Sequence, residues 1–325
     1  MLFSCLLAFI FPFQLFLFSF VVLGPLHYFT EIPWLHGKKY YTTGKYDYVM
    51  LIILCCTIAL LHYLIPEAKQ NEGDTARLFA SLVFITFFGA LAMTTMKSQW
   101  QKVAALLLIG ASSVLFSNLD FFGMIFANFI PTIIHVYIFT GCFILYGALR
   151  HKSMTGILSL VVFAICTLLI FTIMPDPQAD RSLSQYVRSS YFYFGGLNLE
   201  LMNVLGLQKV TPDTKGLADI LFTSNTGIII MRLVAFSYTY HFLNWFSKTS
   251  IIKWHLIPKR SLVVVFVLWI ASLGIYAYDF YIGLQVLYFM SLLHVTLEFP
   301  LNHRTFIGIG QELKGFFVGR KVASA

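Results

Sequence analysis

The chain has 325 residues, of which 58% are hydrophobic and only 11% charged, with a formal net charge of +8. A soluble domain carries about a quarter charged residues, so a soluble globular fold is excluded. The basic residues are not gathered on one face that would bind nucleic acid; they sit in short segments between apolar runs, the distribution that orients a membrane protein.

Taken in chain order, the apolar runs predict an all-α, polytopic integral membrane protein. About nine spans are expected, near 2–24, 47–65, 76–96, 102–117, 131–150, 154–174, 226–246, 262–280 and 284–300. Residues 2–24 lack a basic leading region and a small-residue cleavage site, so they read as a retained first span rather than a signal peptide. The apolar stretch 120–130 either lengthens the fifth span or forms a re-entrant piece ahead of Pro131.

Alternate connections are basic, with Lys38, Lys39 and Lys45, then Lys97 and Lys102, Arg150 and Lys152, and Lys248, Lys253, Lys259 and Arg260. The tail adds Arg304, Lys314, Arg320 and Lys321, while the intervening connections are neutral, mixed or acidic. The positive-inside bias then puts the N-terminus outside and the C-terminus inside a plasma or inner membrane. No composition shift marks a second domain, so residues 1–325 read as one transmembrane domain. Its longest non-spanning piece, 175–225, is extracytoplasmic, and "YVRSSYFYFGGLNLELMNVLGL" within it suits an interfacial helix. All five cysteines lie in apolar segments and read as small packing residues.

Against this apolar background one pattern occurs twice. "HYFTEIPWLH" and "HVTLEFPLNH" both read H-x-x-x-E-x-P-x-x-H, aligning His27, Glu31, Pro33 and His36 with His294, Glu298, Pro300 and His303. Under the expected topology both copies fall at the cytosolic ends of the first and last spans, a parallel pseudo-repeat. His241, His255 and His151 belong to the same face. Histidine at i and glutamate at i+4 lie one helical turn apart, so both reach one metal ion or one proton path. The last histidine, nine residues on, would fall on the opposite face of a straight helix. The metal reading therefore expects a kink or reversal at Pro33 and Pro300. For any one of these histidines a solvated position at the membrane edge is the simpler reading. The doubled set favours function, because a carboxylate near hydrocarbon needs a partner.

Histidine and carboxylate without thiolate suit iron, manganese or zinc. Two such sets suggest two metal ions, iron first, with His27, Glu31, His36, His241, His255, His294, Glu298 and His303 as ligands. Asn244 and His151 are weaker candidates, and Tyr238 and Tyr240 of "SYTYH" are candidate hydrogen-bond donors around them. A binuclear iron centre against lipid fits hydroxylation, desaturation or oxidative cleavage of an apolar lipid or isoprenoid, with an electron-donor protein as a further partner. In design, many histidines at one face of apolar spans, the chain resembles the integral-membrane di-iron desaturases and hydroxylases. Their H-x(3–4)-H and H-x-x-H-H boxes do not occur here.

Two other readings use the same residues. A proton- or metal-coupled transporter would employ the His/Glu cluster, although such sites lie near the bilayer midplane between inverted repeats. Haem held by His135 and His241 would leave both glutamates unexplained. His135, four residues after Pro131, reads as a hydrogen-bonded core residue. A place for it and for His62 along a substrate path is the alternative.

Overall fold

In the computed structural model the chain is helical, and it describes residues 1–38, 44–65, 73–176, 183–210, 214, 216–249, 253 and 257–322. No strand occurs among them. Nine helices are long and apolar enough to cross a membrane, again among the described residues.

In chain order the helices are α1 (Leu2–Ile10), α2 (Pro12–Lys38), α3 (Asp47–Leu64), α4 (Gly73–Thr95), α5 (Gln99–Phe116), α6 (Phe121–Arg150) and α7 (Met154–Thr172). They continue as α8 (Gln185–Phe192), α9 (Gly195–Val204), α10 (Leu217–Thr223), α11 (Asn225–Ser247), α12 (Lys259–Tyr278) and α13 (Phe280–Val322).

The number of long apolar helices matches the sequence expectation, but two boundaries move. The first span does not cover 2–24. Pro12 lacks a backbone N–H and pushes its predecessor out of helical geometry, and Phe11 at φ −132 and ψ 56 separates α1 from α2. As a result His27, Glu31 and His36 lie inside the first long helix, not in a connection after it. The apolar stretch 120–130 lengthens the fifth span, which runs from Phe121 to Arg150.

Of the three helices that carry site residues near a proline, α2 and α6 contain wide, π-type turns and α13 is α-helical throughout its described length. In α2 the turn covers Ser19–Leu23, where the Gly24 N–H reaches back to the Ser19 carbonyl. Pro25 follows at once and cannot donate. In α6 the wide turns run from Met124 to Phe139 around Pro131. There the Thr132 hydroxyl donates to the Asn128 carbonyl, covering an acceptor in the turn around the proline.

The chain forms two compact units, residues 1–27 with 161–281 and residues 28–160 with 282–325. In the first, α11 is the central helix, with 83% of its most apolar window buried. It packs on α1, on the start of α2 and on α9 and α10. The Ser19 and Thr239 hydroxyls share a 2.7 Å hydrogen bond, and the Trp269 indole donates to the Val22 carbonyl at 2.8 Å. Aromatic rings fill the rest. Phe16 meets Phe194 at 4.8 Å, Tyr238 at 5.1 Å and Tyr191 at 5.4 Å, all edge-on, pairs worth about 0.5–1.5 kcal/mol each beyond simple burial. Tyr191, from the 175–225 segment, is fully buried, and that burial pushes its hydroxyl pKa above the ordinary value.

Between apolar helices in lipid, hydrophobic burial gives little drive, and close backbone approach matters more. Gly227 shows it in the first unit. A Cβ there would run into the Ile220 and Leu221 carbonyls, which are backbone atoms that cannot rotate away. We expect Gly227→Val to destabilise the protein by about 1–3 kcal/mol, read as a lowered melting temperature in detergent. Gly110→Val, where nothing stands within 4 Å, is the control.

In the second unit α4 lies against α3, α5 and α6. Its Phe79, Val83, Phe87 and Ala90 pack with Leu51, Cys55 and Ile58 of α3 and Leu292, Leu293, Val295 and Leu297 of α13. The start of α3 is tied to the start of α5 by a buried ion pair. Lys102 Nζ stands 2.5 Å from Asp47 Oδ2, which also accepts the Gly44 N–H at 2.6 Å. Removing one partner leaves a buried charge uncompensated, so Asp47→Asn should cost about 3–5 kcal/mol. The double change Asp47→Leu with Lys102→Met should recover most of that loss in the same thermal assay. A double variant as unstable as the single one would show that the pair is not the tie.

Candidate metal centre

The two copies of the repeated pattern place their first two side chains in the same way. α2 carries His27 and Glu31 one turn apart, and α13 carries His294 and Glu298 one turn apart. All four are buried, with exposures of 1%, 2%, 4% and 3% in that order. Both pairs sit in stretches rich in Leu, Phe, Val and Ile, and buried carboxyl groups there are exceptions that packing alone does not require.

The first unit brings two imidazoles together. The ring centroids of His27 and His241 are 4.9 Å apart at 74°, and one nitrogen of each lies within 4.8 Å of the other. Phe242 and Trp245 stand 5.1 Å and 5.5 Å from the His27 ring and wall the pair with apolar surface.

The second unit brings four ionisable side chains together from three helices: Glu31 of α2, His135 of α6, and His294 and Glu298 of α13. His135 Nδ1 is 3.4 Å from Glu298 Oε2, and the His135 and His294 ring centroids are 5.2 Å apart. A carboxylate oxygen of Glu31 and a ring nitrogen of His294 lie within 4.8 Å. Glu31 is also close enough to Glu298 for the two carboxylates to repel when both are charged. The Tyr28 ring covers His294 at 5.7 Å.

This grouping has a charge problem and a simple solution. Two carboxylates side by side in an apolar interior are strongly disfavoured as free ions. Two protons, or one divalent cation, cancel their charge. Neutral imidazoles add no charge and supply two nitrogen donors, so a divalent ion with two carboxylates and two imidazoles is neutral overall. Metal–donor bonds of about 2.0–2.2 Å place donors on opposite sides of an ion about 4.2 Å apart. Glu31 and His294 already present donors within 4.8 Å of each other, and His135 Nδ1 and Glu298 Oε2 stand 3.4 Å apart, so each pair needs only small rotamer changes to reach a shared ion.

The remaining sequence candidates are scattered. α2 runs through Pro33 to Lys38 and α13 runs through Pro300, so of the kink or reversal that the metal reading expects, reversal does not occur at either proline. His36 is exposed, with its ring 5.8 Å from Tyr48, and His303 is partly buried. His151 is exposed beyond the end of α6, and Asn244 is partly buried. His255 lies outside the described residues. Tyr238 and Tyr240 are buried in ring packing, Tyr238 against Phe16 at 5.1 Å and Tyr240 against Phe163 at 5.7 Å. His62 is held by Gln285, Nδ1 to Oε1 3.0 Å, and stacks on Tyr288 at 4.5 Å.

His135, expected as a hydrogen-bonded core residue, is buried with its Nδ1 3.4 Å from Glu298 Oε2 and its ring 5.2 Å from that of His294, while Asn302 has no place in the sequence reading. Asn302 follows Glu298 by one turn on the same face of α13 and is 2% exposed, with neither amide atom hydrogen-bonded among the described residues. A buried amide in that condition costs about 1–3 kcal/mol. The signal was there in the spacing, since positions 294, 298, 302 and 305 follow one helical stripe and all are polar.

Comparison of the chain with protein-family models, with curated proteins and with solved structures gave no match in any of the three.

Proposed function

We propose that the protein is an integral-membrane metalloenzyme that binds divalent metal, iron first, through Glu31, His135, His294 and Glu298, and oxidises an apolar lipid or isoprenoid. The observation that carries this reading is the grouping of two buried carboxylates with two buried imidazoles on helices of membrane length. The donor set of oxygen and nitrogen without thiolate suits iron, manganese or zinc. Among these, iron supplies oxygen chemistry on C–H and C=C bonds, and the surrounding phenylalanine-rich helices suit an apolar substrate and exclude water. The pair His27 and His241 is the candidate for a second ion. The loop charges support an N-terminus outside and a C-terminus inside the membrane.

In such a reaction one oxygen atom of dioxygen enters a C–H bond and the other leaves as water, with two electrons and two protons from a donor. The chain's own contribution is to hold the ion in a neutral ligand set, to keep bulk water away, and to align the substrate carbon beside it. His135, between Glu298 and His294, keeps the Glu298 carboxylate oriented and is itself fixed by it.

The test is metal analysis by mass spectrometry on protein purified in mild detergent. One or two iron atoms per chain are expected. Folded, metal-free protein from cells grown with ample iron would reject the enzyme and move the same residues to proton-coupled transport, measured next in sealed vesicles.

A further inference from the structure

Of the stripe His294, Glu298, Asn302 and Thr305 along α13, the last two lie outside the proposed ligand set, and they differ in how their polar atoms are met. Asn302 is 2% exposed, and its Oδ1 and Nδ2 meet no protein hydrogen-bond partner among the described residues. Its neighbour on the stripe is different. The Thr305 hydroxyl donates to the Leu301 carbonyl at 3.0 Å and needs nothing further. Glu298 has His135. Outside the proposed ligands, Asn302 is therefore the member of the stripe that presents both an unused donor and an unused acceptor among the described residues.

The group that complements a primary amide must accept from its N–H and donate to its C=O. A hydroxyl or a protonated carboxyl does both, whereas a ketone, an ester or a hydrocarbon does not. The helical rise of 1.5 Å per residue puts Asn302 about 6 Å along α13 from Glu298 and about 12 Å from His294. A polar group held at Asn302 would therefore leave the next few carbons of its chain beside the Glu298–His135 pair.

Building on the metalloenzyme reading above, we propose that Asn302 anchors the substrate. On this proposal the substrate is an apolar chain ending in a hydroxyl or carboxyl group. The amide holds that end, and the distance along α13 selects which carbon is oxidised. Asn302 is a positioning residue, not a metal ligand.

The experiment uses the full chain in lipid nanodiscs with a hexadecanol carrying a photoactivated diazirine near its hydroxyl. Labelling should be competed by excess hexadecan-1-ol and not by hexadecane, which is equally apolar. Asn302→Leu, close in volume but unable to hydrogen-bond, should weaken that competition by about tenfold or more, the usual effect of deleting a buried hydrogen-bonding partner. Its metal content should equal that of the unsubstituted protein, which separates anchoring from ligation or misfolding. Asn302→Gln should restore part of the preference. Equal competition by the alcohol and the alkane, or an unchanged preference in Asn302→Leu, overturns the proposal, and Asn302 then holds only a structural water. Absence of metal from the unsubstituted protein is a different outcome and overturns the enzyme reading instead.

Discussion

Replacing Glu31 and Glu298 together by glutamine should strip the protein of metal without unfolding it. The substitution keeps shape and volume and removes only charge, so any ion in the second unit loses both of its anionic ligands. Removing even an outer partner of a ligand typically weakens metal binding by about 10–100-fold. Losing two direct ligands should weaken it by at least that factor for each. From one or two ions per chain, the double variant should fall to a level set by the His27–His241 pair alone, or to none. Stability should move the other way in the metal-free state. Without the ion, two buried carboxyl groups that are each costly as free ions are replaced by neutral amides of the same shape. The metal-free variant should therefore melt at or above the temperature of metal-free unsubstituted protein. Unchanged metal content in the variant would move the ion elsewhere and sink the assignment of this cluster.

Much of the architecture was legible in the residues. Runs of twenty apolar side chains leave few alternatives to membrane-length helices, and nine were expected where nine are found among the described residues. What the runs did not reveal was where helices start and stop within apolar sequence. Residues 2–24 look uniform in hydropathy, and only the proline at position 12 marks the break between α1 and α2. At Pro33 and Pro300 the proline does not end the helix, which leaves a kink as the one form of the expectation that continuing helices allow. Both sit inside helices that continue, because helices packed among other helices retain their geometry despite one lost hydrogen bond.

The site was half legible for a related reason. The doubled pattern pointed to His27, Glu31, His294 and Glu298, and all four are buried. The spacing of four residues is a local property of a helix, so sequence can carry it. His135 and Asn302 are different cases. The polar residues near His135 in sequence are few, Asn128, Thr132, Tyr137 and Thr140, none of them ionised at neutral pH, and its partners Glu298 and His294 lie more than 150 positions away. Only packing of α6 against α13 brings them together. Asn302 extends the 294–298 spacing by one more turn, but spacing alone does not tell a buried amide on a stripe from a solvated one.

His135 provides the second large effect, and its outcome decides between two accounts of one residue. If it is a packing histidine, His135→Gln leaves a polar side chain of similar length in its place, and metal content is unchanged. If it is a ligand, the variant loses a nitrogen donor and releases the Glu298 carboxylate that its Nδ1 meets at 3.4 Å. Both losses act on the same ion, so metal affinity should fall by about 100-fold or more, an expectation scaled from the loss of outer partners. Iron that remains should show a changed absorption spectrum, because one imidazole is gone. His36→Gln and His151→Gln supply the contrast. Both residues are exposed, and their loss should leave the metal content and the spectrum as they were. The geometry favours the ligand account. A buried imidazole between a carboxylate and a second imidazole, in the stretch of wide turns around Pro131, sits where a metal-free core would gain more from leucine. Wide π-type turns are frequent at functional sites, and His135 is the one imidazole within this one.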